Sequence, residues 1–153
     1  VAEIDTTVSH DEGSSARYAS IERRPRGFGT MMQTFAPDDY VGERVRLTAW
    51  VRAEEVADWA GLWMRVDGPI QGKSLAFDNM STRPITGTSD WQQVEVVLDI
   101  DESATNIAFG ILVHGTGTVW LDEVQFEVVD HTVPVTDMVQ HRTYEPQNLD
   151  FED

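Results

Sequence analysis

The chain has 153 residues, 41% of them hydrophobic, with 27 acidic against 11 basic side chains for a formal charge of −16. That length suits one domain with a real core and is short for two, and no apolar run approaches the roughly 20 residues that cross a bilayer. The acidity repels nucleic acid, whose binding rests on neutralised phosphates, and the lack of any cysteine removes disulfides, thiolate chemistry and Cys-type zinc sites together.

The opening residues, VAEIDTTVS, carry neither the basic head nor the apolar core of a secretory signal, so a cytoplasmic location is the expectation. Residues 1–9 read as a first strand and 10–14 (HDEGS) as a polar turn. Residues 16–23 alternate as a second strand, with Tyr18 and Ser20 opposite Ala19 and Ile21. Arg23, Arg24 and Arg26 around Pro25 make the only basic knot in the chain. They form either a solvated loop or a clamp for a ligand carboxylate, which guanidinium groups suit.

Residues 28–35 (FGTMMQTF) read as a third strand whose glycine and two methionines give one face an adaptable surface. A turn over 37–42 leads to the clearest strand, 43–53. There Val45, Leu47, Ala49 and Val51 alternate with Arg44, Arg46, Thr48, Trp50 and Arg52. Residues 59–80, WAGLWMRVDGPIQGKSLAFDNM, look like two short strands joined by a Gly/Pro turn at 67–72. Along the first, Leu62, Met64 and Val66 alternate with Trp63, Arg65 and Asp67, so the two sets point to opposite faces. An indole on a wet face exposes costly apolar area. A row of indole, guanidinium and carboxylate therefore suits an amphipathic ligand better than plain solvent.

A polar connection over 79–90 precedes a strand at 91–99 and a turn at 101–105. Residues 106–114 follow with Ile107, Phe109, Ile111 and Val113 inward; the other face, Ala108, Gly110, Leu112 and His114, leaves room for something to lie against it. After a turn at 115–117 comes a last strand, 118–129, with Trp120 and Asp122 opposite Val119 and Leu121. About nine strands, closely spaced turns and no long amphipathic helix predict an all-β sandwich. Residues 130–153 have no periodicity and read as an irregular tail, packed on the sandwich or free of it.

The stretches GFGTMMQTF, RVRLTAWVR, WAGLWMRVDG, LAFDNM, RPITGTSDW and IAFGILVHGTGTVWLDEV, with His10, Gly13 and Ser14 near the start and NLDFE near the end, carry a resemblance over almost the whole chain. They resemble carbohydrate-binding modules of the galactose-binding jelly-roll type, of the kind attached to bacterial helix-turn-helix transcriptional regulators. The resemblance implies a single-domain jelly-roll β-sandwich of two antiparallel sheets over residues 1–129. It also implies a bacterial protein with a small-molecule or carbohydrate ligand. The chain itself contains no helix-turn-helix segment.

The candidate binding face combines Met31, Gln33, Trp50, Arg52, Trp63, Arg65, Asn79, His114 and Trp120. Sugars stack C–H faces on indoles and hydrogen-bond to Arg, Asn and Asp. A polyketide would use the Met and Trp surface with one or two polar anchors. Arg65 and Asp67 are also spaced to pair with each other. The jelly-roll resemblance suggests a structural calcium at Asp122, for which Asp11 and Glu12 would supply further oxygens; no other cofactor is expected. The four histidines lack zinc-site spacing. Among Asp67, Asp78 and Asp122 no pair is singled out for glycoside hydrolysis, and no Gly-x-Ser-x-Gly elbow, phosphate loop or dinucleotide fingerprint occurs.

Two functions follow. The preferred one is a non-catalytic module that holds a carbohydrate or small amphipathic molecule on its Trp/Met/Arg face, without touching nucleic acid or membrane. The alternative is a cofactor-free cyclase or isomerase of bacterial secondary metabolism acting on a polyketide-like substrate. Its pocket would hold a reactive conformer, and Arg65 or His114 would polarise a carbonyl.

Overall fold

The computed structural model describes the backbone of residues 2–5, 15–20 and 28–139, and the side chains of residues 32–139. Its strands are β1 (Ala2–Asp5), β2 (Ser15–Ser20), β3 (Phe28–Phe35), β4 (Arg44–Asp67), β5 (Ser74–Asp78), β6 (Ile85–Asp99), β7 (Asn106–His114) and β8 (Gly117–Val129). All pairings are antiparallel. The order is β1-β2-β8-β4-β7-β3, with β5 and β6 also paired to β4.

β4 is the axis of the fold. Its first half runs between β6 and β8, and its second half between β5 and β7. The two halves meet at a bend where Glu55 has φ 54°, a left-handed backbone that a side chain with a Cβ seldom adopts. Around it the register against β6 slips three times, between Val51 and Ala53, between Ala53 and Val56 and between Val56 and Ala60. The bend is held from outside the strand. Glu55 N–H donates to Thr88 Oγ1 at 2.9 Å, and Ala57 N–H donates to the Thr116 carbonyl at 2.8 Å.

The slip changes which residues face inward. Val45, Leu47, Ala49, Val51 and Ala53 are buried before the bend, and Val56, Ala60, Leu62, Met64 and Val66 after it. Both sets enter one core with Val96 and Leu98 of β6 and Ile107, Ile111 and Val113 of β7. The sheet is therefore curled over itself into an all-β sandwich around a single apolar interior. β8 makes a smaller adjustment: Glu123 has φ 53°, the register against β4 shifts between Thr48 and Trp50, and Val124 and Phe126 then pack against the core. Phe126 closes one end with Phe109 and Phe35, edge-on at centroid distances of 4.9 and 5.2 Å.

The stretches expected as separate strands at 43–53 and 59–67 are thus one continuous strand. The expected polar connection at 79–90 is partly strand, because β6 begins at Ile85. The exposed run at Glu54, Glu55, Ala57 and Asp58 broke the alternation that marks a strand, although β4 continues through it on either side of the left-handed Glu55.

The described part of the tail packs on the sandwich. Thr136 bonds both backbone groups of Val97 on β6. Asp137, buried, accepts the N–H of Phe77 on β5 at 3.2 Å and that of Val139 at 2.9 Å. Arg44, fixed by Asp99 at 2.7 Å, donates to the carbonyls of His131 and Val133. No helix among the described residues is long and apolar enough to cross a membrane.

Candidate functional site

The outward row of the second half of β4 is Trp59, Gly61, Trp63, Arg65 and Asp67. Across from it on β7 stand His114, Leu112, Gly110, Ala108 and Asn106. Trp63 faces Gly110 and forms, with Ala108 and Leu112, an apolar cluster separate from the main core; Trp59 and Phe77 pack against it. Trp63 is only 5% exposed. The small residues of β7, expected to leave space for a visitor, instead accommodate this indole.

At one end of the row sit two rings. Trp59 and His114 are stacked with centroids 6.0 Å apart and planes at 13°. His114 Nδ1 lies 3.2 Å from Asp58 Oδ2. Both rings keep solvent access.

At the other end Arg65 donates from Nε to Asp67 Oδ1 at 2.7 Å and from Nη2 to Oδ2 at 3.2 Å, and its guanidinium stands 5.9 Å from the Trp63 ring. Asn106 Nδ2 also donates to Asp67 Oδ2, at 3.0 Å. Burial pushes the Asp67 carboxyl up, but the hydrogen bonds from Arg65 and Asn106 and the Arg65 charge outweigh it and hold the group below its ordinary value. Beside this pair opens a cavity of about 510 Å³, lined by Arg65, Asp67 and residues 68–74.

Gly61 sits mid-row for a steric reason. A Cβ there would lie 2.4 Å from the Asn79 carbonyl oxygen, so only glycine lets the chain beyond β5 pass so close. Asn79 itself serves that crossing: its Oδ1 accepts the Ser81 N–H at 3.0 Å in a local turn.

The other residues expected on the binding face fall elsewhere. Trp50 and Arg52 lie before the bend, and Arg52 pairs with Trp120 of β8, its guanidinium 5.1 Å from that ring. The bend separates this group from Trp63, Arg65 and His114. By backbone register Met31 is opposite Ile111, Met32 opposite Gly110 and Gln33, which is exposed, opposite Phe109. Met32 is thus the methionine on the Trp63 row, and it is 51% exposed.

Asp78 is wholly buried and paired with Arg83, which also donates to the Glu95 carbonyl at 2.8 Å, so it is a structural acid. Asp122 Oδ1 accepts the Glu123 N–H at 2.8 Å in the β8 bulge. Its proposed calcium partners Asp11 and Glu12 lie outside the described residues, as do Arg23, Arg24 and Arg26. Among the described residues no three His, Asp or Glu side chains come together as a metal cage. Sequence reading omitted Trp59 and Phe77 from the site. Trp59 was accessible, since it shares the parity of Trp63 and Arg65; Phe77 required the β4–β5 register, where it stands opposite Arg65.

No protein-family model matches the chain. It is 47% identical over 128 residues to the HTH-type transcriptional regulator YbfP of Bacillus subtilis (strain 168); the match covers 82% of this chain and 43% of the regulator. The chain thus spans less than half the length of that relative. Among solved structures it is similar to a family 16 carbohydrate-binding module, with a TM-score of 0.62 at 11% identity over 82% of this chain and 84% of the module. It is also similar to the CBM22-1 xylan-binding domain of Paenibacillus barcinonensis Xyn10C, with a TM-score of 0.57 at 14% identity over 85% of this chain and 81% of that domain. The fold is that of these modules. At such low identities the likeness concerns architecture alone.

Proposed function

We propose that this domain binds a carbohydrate along the outward row of β4 and β7, between the Trp59–His114 stack and the cavity beside Arg65. The observation that carries the reading is the row itself. Accessible aromatic rings stand at one end, a fixed guanidinium–carboxylate pair borders an open cavity at the other, and the apolar Trp63 cluster lies between. A pyranose offers the complement, an apolar C–H face with a rim of hydroxyls. The named functions of the similar modules, one of them xylan-binding, lend support. In a protein arranged like the YbfP regulator, such a domain would be the ligand-sensing part.

The test is a titration of the folded domain with a glycan panel, read by tryptophan fluorescence and calorimetry. Binding that Trp59→Ala and Arg65→Ala each weaken supports the proposal; silence across the panel overturns it. The alternative of a cofactor-free cyclase or isomerase calls for an enclosed apolar pocket. The cavity beside Arg65 is open, and it is lined by a guanidinium, a carboxylate, an ammonium and an amide, which favours the module.

A further inference from the structure

The cavity at the β4–β5 turn carries two cationic side chains, Arg65 and Lys73, beside a single carboxylate. Asp67 is its only carboxylate, and both oxygens are already engaged, Oδ1 by Arg65 Nε and Oδ2 by Arg65 Nη2 and Asn106 Nδ2. Arg65 spends two of its five N–H groups on that pair, which leaves three without an acceptor among the described residues. Lys73, the single lysine of the chain, lines the same cavity and forms no ion pair among the described residues. Gln71 and Ser74 add an amide and a hydroxyl. The turn presents Lys73 through a bond from its own N–H to the Ile70 carbonyl at 3.2 Å, with Gly72 at φ 84°. Ile70, 63% exposed, supplies an apolar wall.

Charge points the same way. Asp67 balances Arg65, so Lys73 leaves the lining with a net positive charge inside a protein whose overall charge is −16. A neutral sugar hydroxyl both gives and takes hydrogen bonds and draws no benefit from the surplus positive charge. A carboxylate takes only. We infer that this cavity receives the carboxylate of a uronic acid, so that the glycan held along β4 is an acidic one. The inference rests on the carbohydrate reading above and adds the class of sugar. A planar carboxylate matches the guanidinium fork of Arg65, and the Lys73 ammonium adds a mobile point charge. At about 0.15 M salt the acidic surface beyond roughly 8 Å is largely screened, so the local cations decide the outcome.

The experiment compares polygalacturonate, alginate and glucuronoxylan with the same polymers after chemical reduction of their carboxyl groups, and adds a sulfated galactan. All are titrated into the whole chain at physiological salt. At least one intact uronan should bind about tenfold or more tighter than its reduced form, the scale of one charge-assisted hydrogen bond. Lys73→Met should bring that affinity down to the reduced polymer's level, and Lys73→Arg should restore most of it. Equal binding of intact and reduced polymers overturns the inference and leaves the carbohydrate reading standing. Tighter binding of the sulfated galactan than of any uronan overturns the carboxylate assignment. Failure of every glycan removes both readings.

Discussion

The imidazole of His114 lies nearly parallel to the indole of Trp59, directly across the β4–β7 ladder, with ring centroids 6.0 Å apart. Cross-strand aromatic pairs of this kind are worth about 0.5–1.5 kcal/mol beyond their buried area. A double-mutant cycle of Trp59→Ala and His114→Ala, followed by urea unfolding, should return a coupling energy of that size. Strict additivity would show that the rings are neighbours without being partners.

Trp63 behaves differently because it is enclosed. It packs with Ala108 and Leu112 and retains almost no solvent contact. Trp63→Ala should therefore cost about 3–5 kcal/mol of stability, as for a buried ring. Trp59→Ala should cost less stability and more glycan affinity. Denaturation midpoints and binding isotherms of the two variants, side by side, check the contrast.

Gly61→Ala tests the crossing of β4 by the segment after β5. The added methyl would meet a backbone carbonyl at 2.4 Å, and backbone cannot swing aside as a long side chain can. A loss of about 1–3 kcal/mol is expected. Thermal melts read the stability; a variant as stable as the parent would mean that this passage is looser than described.

Asp67 predicts a pH dependence. Its folded carboxyl is held below the ordinary value by Arg65 and Asn106 despite its partial burial. A depressed acid contributes stability that is complete above its unfolded pKa of about 3.9 and disappears as pH falls through the folded value. The stability gap between the parent and Asp67→Asn should thus be constant near neutrality and close progressively below about pH 4. Urea titrations at several pH values measure it. A gap that widened on acidification would reverse the sign and dismiss the pairing.

Asp137 fastens the tail to β5. Replacing it by alanine strands the part-buried N–H of Phe77 and should cost about 1–3 kcal/mol. Hydrogen exchange at Phe77 and Val139 should accelerate more than exchange in β7. Uniform acceleration would instead indicate a general loss of stability.

The period-two pattern made the inward faces of β4, β7 and the start of β8 legible residue by residue. Val45 to Val51, Leu62 to Val66 and Ile107 to Val113 are all buried as their alternation demands. Alternation cannot reveal which stretches share a layer. Trp50 and Trp63 both point away from the aliphatic residues of their own stretch, and this suggested a single platform. The bend at Glu55, whose backbone angle no residue preference announces, places them on different parts of the curled sheet. The same limit hid the Glu123 bulge and the depth of Trp63, which depends on Gly110 standing opposite it. Adjacent methionines were assigned one face against the alternation rule itself; the β3–β7 register puts the exposed Met32 opposite Gly110.

A strand that pairs with β5, β6, β7 and β8 also raises a problem of timing, because all four partners lie later in the chain. During synthesis β4 must wait with its apolar face bare and its edges unsatisfied, the state in which chains stick to one another. Arg44, Arg46 and Arg52 alternate with the valines and leucine before the turn in its path, and Glu54, Glu55 and Asp58 gather at it. Charges so placed act as gatekeepers for the nascent ribbon. A few charges along one strand thus have a use before the protein is finished as well as after.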